Sequence, residues 1–239
     1  MHLRQLNSPH AQCAFLNVIG VGLHKSSATK ISLGDAGLVI AICFGWFIAL
    51  SIEAVVLGFP SSASFSDASL MSIVALECAF ASAALMLLHY RGYALATLLP
   101  TPSWRGSIVG ALLYVGTLGI WSVAALALFN DENSTQPIAK ILANATPSLL
   151  VVVLLSMVNG LYEEAFLLGY LLRGLTPYGA SFALGTSMLV RVLYHLYQGP
   201  VGTVSVLIFG LVVSIYYYRT RALWPTVVAH ALGDFVALT

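Results

Sequence analysis

Residues 148–174 read SLLVVVLLSMVNGLYEEAFLLGYLLRG. The run is long enough to cross a bilayer, whose hydrocarbon core of ~30 Å takes about 20 apolar residues of helix. Two adjacent carboxylates, Glu163 and Glu164, nevertheless stand inside it. An acid near the middle of a membrane helix costs roughly 2.5–3.5 kcal/mol on insertion scales, so it is kept by turning it inward, and usually for a task. Whatever this chain folds into must set other helices around that pair.

The remaining sequence supplies such helices. Of 239 residues, 59% are hydrophobic and only 8% are charged, whereas a soluble domain carries about 25% charged residues. So much apolar surface excludes a water-soluble protein and predicts an all-α, polytopic transmembrane helical bundle. The net charge of +1 gives no case for nucleic-acid binding. Apolar runs bounded by prolines place seven transmembrane helices at 36–59, 67–88, 106–129, 148–172, 180–197, 201–218 and 222–238. Residues 34–239 are read as a single membrane-embedded domain. Residues 1–33 are read as an N-terminal cytoplasmic or interfacial segment, because no small-residue cleavage site follows their short apolar part. Cys13, Cys43 and Cys78 have no metal-binding spacing, and Cys43 and Cys78 are expected to be small core residues. Gly106 and Gly110 form a GxxxG pair suited to a helix-packing face.

Basic residues orient the bundle. Arg4, Lys25, Lys30, Arg91, Arg105, Arg173, Arg219 and Arg221 fall on one side, and Lys140 alone on the other. The expectation is N-terminus inside and C-terminus outside, in a multi-pass protein of the plasma or inner membrane. Tyr90, Trp104, Tyr216, Tyr217, Tyr218 and Trp224 are placed in an interfacial aromatic belt.

Few charged groups fall within the spans. Glu53 and Glu77 lie in the first two helices. The fifth holds Arg191 and His195, and the seventh His230 and Asp234, each pair four residues apart and therefore on one face. Glu163 and Glu164 diverge by about 100° around their helix, so one can meet a cavity and the other a neighbouring helix. Both ionised at ~6 Å and an effective dielectric of ~20 would repel by about 3 kcal/mol, which calls for a cation. Arg191 is the permanent cation available in a span. A carboxylate and an imidazole can take a proton from water, and further donors can stabilise an oxyanion. These residue types also admit a divalent metal such as zinc on His195, His230 and Glu163 with one position open, although HExxH is absent. A single buried histidine is ordinarily structural, which suffices for His89. Several costly groups on three helices are harder to explain by packing.

At this point the residues resemble a family. Glu163-Glu164 through Leu168-Gly169 is similar to the EExxxR(G) motif of the CPBP family, the CAAX-protease and bacteriocin-processing (Abi) intramembrane proteases. Arg191 to His195, with Tyr194 beside the histidine, resembles its FxxxH motif, and His230 to Asp234 its HxxxN or HxxxD motif. The resemblance covers roughly residues 110–239 and makes 106–239 a protease-like core. It implies peptide-bond hydrolysis of prenylated or otherwise membrane-associated peptides in a water-filled intramembrane cavity, with substrate and lipid bilayer as the partners. It implies Glu163 as general base with His195, His230 and Asp234 at the oxyanion, and Glu164 as organising partner. Two departures stand out: Leu168 replaces the motif arginine and Arg191 the motif phenylalanine. The reading is that the guanidinium has moved from the fourth helix to the fifth and still neutralises Glu164, with Tyr194 in support. An ionised Asp234 cannot donate a hydrogen bond, so it either carries a proton or orients His230. A non-catalytic immunity or scaffold protein and an ion-coupled transporter are the competing readings. By helix length alone, His195 sits nearer the outer end of its span than Glu163 does, unless the fifth and sixth helices sink into the membrane.

Overall fold

The computed structural model describes residues 30–58, 65–128, 137–143 and 145–239, so most of the expected 1–33 segment lies outside the described residues. Among the described residues the chain is helical, with no β-strand. Helix α1 spans Leu33–Leu57, α2 Asp67–Tyr90 and α3 Trp104–Leu128. A short helix α4, Pro137–Ala143, follows. Helix α5, Leu149–Glu164, runs on through a π-helical segment, Ala165–Leu172, and ends in turns at Arg173–Leu175 and Thr176–Tyr178. Then come α6, Ala180–His195, α7, Gly199–Thr220, and α8, Trp224–Leu238.

Local chemistry sets these boundaries. Ser32 Oγ accepts from Asp35 N at 3.0 Å and caps α1. Ser66 and Ser69 cap α2 reciprocally, satisfying amides that a helix start leaves unpaired. Asp67 Oδ1 accepts from Ser148 N at 2.6 Å, tying the start of α2 to the start of α5. Between α6 and α7, Gly199 takes φ 83, a left-handed conformation open to glycine, and Pro200 starts α7 in the first-turn position that prolines tolerate.

Five stretches are long and apolar enough to span a membrane: Leu33–Leu57, Asp67–Tyr90, Trp104–Leu128, Leu149–Tyr178 and Ala180–Thr220. The chain is an integral membrane protein. The last stretch holds what the sequence divides into two spans. Its halves pack on each other, since a Cβ at Gly210 of α7 would lie 2.8 Å from Arg191 Cδ of α6. Helix α8 is apolar but has 15 residues, fewer than the roughly 20 of a full crossing.

The core gathers on α5 and its π-helical extension. Leu167, Leu168, Tyr170, Leu171 and Leu172 are fully buried within one cluster with Phe44 of α1 and Tyr217 of α7. By contrast α3 buries only Gly110 and Thr117, and an apolar helix with that little burial faces lipid. Gly106 and Gly110 are its packing face: a Cβ at Gly110 would fall 2.6 Å from Pro225 O and 2.7 Å from Val228 Cβ of α8. Two readings are corrected here. Cys78 is exposed on α2, while Cys43 is buried. Tyr217 turns into the core instead of joining a belt, whereas Tyr90 and Trp104 are exposed.

Candidate active site

Three helices bring the ionisable residues together. Helix α5 carries Asn159, Glu163 and Glu164, α6 carries Arg191, Tyr194 and His195, and α8 carries His230 and Asp234. Close backbone approach makes this geometry. A Cβ at Gly160 would lie 3.1 Å from both Ala231 N and Val227 O, so α5 and α8 nearly touch one turn before the glutamates. Gly210 of α7 leaves room for side chains of α6, the Arg191 stem and Met188.

Glu164 is fully buried and turned toward both neighbouring helices. Its Oε1 accepts from Arg191 Nη2 at 2.8 Å and meets His230 Nδ1 at 2.6 Å. A carboxylate accepts only, so His230 Nδ1 carries the hydrogen of that bond. Arg191 also reaches Glu163 Oε2 through Nη1 at 3.4 Å, and Tyr194 donates its hydroxyl to the same oxygen. One guanidinium therefore serves both carboxylates. The guanidinium lies 5.6 Å from the Phe209 ring, whose edge meets the His230 ring at 5.2 Å between centroids. Leu168, where the family motif has arginine, is fully buried in the apolar core.

His230 Nε2 lies 3.6 Å from Glu163 Oε2 and 3.7 Å from Asp234 Oδ2. Asn159 Nδ2 donates to Asp234 Oδ2 at 2.8 Å and lies 3.5 Å from His230 Nε2. Asn159 is the residue that sequence reasoning missed. It stands one turn before Glu163, on the same face, and that spacing was the available signal.

His195 engages the site differently. Its Nδ1 bonds the Arg191 carbonyl at 2.9 Å. A carbonyl can only accept, so Nδ1 holds the hydrogen and Nε2 is left as an acceptor. Tyr194 stacks on Phe44 of α1 with centroids 5.2 Å apart. Tyr197 N donates to Ser51 Oγ of α1 at 2.9 Å, which holds the α6–α7 turn against that helix.

A cavity of about 480 Å³ opens at this cluster, and Asn159, Glu163, Tyr194, His195 and Asp234 all line it. Its other walls are mainly apolar residues of α1, α2 and α4. Glu77 of α2 also lines it and is buried, while Glu53 is exposed on α1. His89 is exposed at the end of α2.

Donor atoms of Glu163, Glu164 and His230 lie within 4.8 Å of one another, so this buried group could hold a metal ion. That group differs from the set read from sequence in holding Glu164 where the sequence reading has His195. The approach of α8 at Gly160 puts His230 against Glu164, while His195 lies one turn beyond Arg191 and faces the cavity.

The comparisons with known proteins bear on this same segment. Residues 145–236 match the Rce1-like family model, type II CAAX prenyl endopeptidase. The match contains every residue of the cluster just described and leaves α1–α4 outside it. It bears out the CPBP resemblance read from the three motifs, and the family it names is one of proteases. Neither the curated proteins nor the solved structures returned a match.

Proposed function

We propose that the chain is an intramembrane endopeptidase that cleaves a peptide bond of a membrane-associated protein, prenylated or C-terminally anchored. The observation that carries this reading is the buried Glu163–Arg191–His230 cluster at the wall of an intramembrane cavity, within the segment that matches an endopeptidase family.

In this reading a water sits between Glu163 and His195 Nε2. Glu163 takes its proton as the oxygen attacks the scissile carbonyl carbon. The contacts of Glu163 with Arg191 and Tyr194 fall on Oε2, which leaves Oε1 as the atom assigned to the water. Arg191 offsets the repulsion between the two glutamates, so Glu163 can work beside Glu164 without both charges being uncompensated. His230, protonated on both ring nitrogens among Glu164, Glu163 and Asp234 so that Nδ1 bonds Glu164 and Nε2 also donates, and the Asn159 amide are the donors assigned to the developing oxyanion. Asp234, as an acceptor, orients both. When the carbon–nitrogen bond breaks, the departing nitrogen takes the proton from Glu163, giving an amine and a carboxylic acid that keeps the second hydrogen of the water.

Glu163, Glu164 and His230 would be the ligands of a divalent metal such as zinc, which would acidify a bound water. In that case Glu163 and His230 would serve as ligands in place of base and oxyanion donor, and Asn159 and His195 would keep the roles given above.

The test is cleavage of membrane-anchored peptides by the purified protein, wild type against Glu163→Gln and His195→Ala. Losses of at least about 100-fold in kcat/KM are expected in both, since a positioned acid–base group contributes 10²–10⁴-fold. A wild type no faster than Glu163→Gln would favour the non-catalytic scaffold reading. Loss of activity on chelation, restored by zinc, would assign the reaction to a metal.

A further inference from the structure

Glu77 is the one buried carboxyl of the cavity that the proposed hydrolysis does not use. It lies on α2, outside the segment that matches the family. Its residue exposure is 3%, and its Oε2 has no hydrogen-bond partner among the described residues. It lines the cavity with Glu163 and Asp234, between apolar side chains such as Phe47, Leu70 and Ile73. The described residues lining that cavity include three carboxyls and no lysine or arginine. Arg191 stands behind Glu163 and Glu164, and its contacts go to those two glutamates.

A buried carboxyl oxygen without a partner carries a desolvation cost that only a donor or a cation recovers. Hydrophobic packing does not require an acid here, because leucine or methionine would fill the same space at no such cost. Held beside two other acids, Glu77 is complementary to a group that arrives with positive charge. We infer that Glu77 is the floor of a cation-reading subsite, which selects substrates with a lysine or arginine side chain near the scissile bond. This rests on the peptidase reading for the identity of the ligand as a peptide. The subsite itself rests on the cavity and on the unpartnered oxygen.

The experiment uses the full chain in nanodiscs and lipid-anchored fluorogenic peptides that differ at one position at a time, with Lys, Gln or Glu placed on either side of the scissile bond. At one position the Lys peptide is expected to exceed the Gln peptide in kcat/KM by at least about tenfold, as for a site built to pair with a polar group of its substrate. In Glu77→Gln the Lys advantage should fall to within about twofold. In Glu77→Lys the Glu peptide should become the preferred one. A Lys advantage that survives Glu77→Gln, or no such advantage at any position, overturns the proposal. The second result is also what a neutral hydrogen-bond donor at Glu77 would give. Binding of the same peptides to Glu163→Gln, measured by fluorescence anisotropy, separates the two readings. If no peptide is cleaved yet Lys-selective binding is present and lost on adding Glu77→Gln, the peptidase reading fails and the subsite stands. Binding without charge preference overturns the subsite.

Discussion

Arg191 carries the two departures from the motif pattern at once. It supplies the guanidinium that Leu168 does not, and it bonds Glu164 at 2.8 Å and Glu163 at 3.4 Å from a position 1% exposed. Removing one partner of a buried ion pair costs about 3–5 kcal/mol, because the other charge stays buried and unpaired. Arg191→Leu should therefore lower thermal stability sharply and abolish cleavage. Adding Leu168→Arg should recover part of both, read by a melting curve in detergent and by peptide cleavage; no recovery at all would count against a relocated guanidinium. Asn159 has a similar relation to Asp234. Its amide donates to a carboxylate that stands where the motif can hold asparagine. Asn159→Ala should reduce kcat about 100-fold with little change in KM, the pattern expected when an oxyanion donor is lost. Combining it with Asp234→Asn should return at least a tenth of the loss, since an amide is again present. If the double variant is as slow as the single one, Asn159 acts only through packing.

At the scale of elements, the meeting of α5 and α8 depends on Gly160. A Cβ there would lie 3.1 Å from two backbone atoms of α8, so Gly160→Ala demands a shift of a few tenths of an ångström and Gly160→Val a larger one. Because catalytic groups tolerate little misplacement, Gly160→Ala should cut cleavage about tenfold while the protein stays folded, and Gly160→Val should also lower its melting temperature. Equal activity in wild type and Gly160→Val would show that α8 need not approach so closely. The elements differ in how far the sequence disclosed them. Helix extents were legible because a bilayer sets a minimum apolar length and prolines interrupt it: α2 and α3 fall within two residues of the expected ends. The π-helical segment Ala165–Leu172 was not, since AFLLGYLL suits either helix and the wider turn comes from tertiary contacts, such as Ser187 Oγ donating to Leu167 O at 3.0 Å. Of the site, Arg191 as the cation for the glutamate pair was legible from charge balance, and its assignment to Glu164 from the motif resemblance. Asn159 was hidden because an amide carries no charge to mark it in an apolar run. Which histidine joins the group that could hold a metal ion depended on α8 pressing against Glu164, a matter of helix approach and not of spacing along one helix.

For the whole molecule, the threading of the chain through the bilayer decides from which side a substrate enters the cavity. Eight basic residues against Lys140 favour one orientation. The stretch Ala180–Thr220 is 41 residues long, and a single straight helix of that length would reach ~60 Å at 1.5 Å per residue, twice the hydrocarbon core. The chain avoids this by turning at Gly199. Arg191 of α6 meets Gly210 of α7, and Met188 meets Ser214 at 3.9 Å, which are the contacts of an antiparallel pair. Arg173 and Arg221 should therefore lie on the same side of the membrane. Reporter insertions after Gly179 and after Arg221 are expected to give the same, cytoplasmic signal in a fluorescent-protein and alkaline-phosphatase pair. Opposite signals at Gly179 and Arg221 would mean that α6 and α7 together cross once. The turn held against α1 by Ser51 would then have to break, and His195 would leave the cavity that it shares with Glu163.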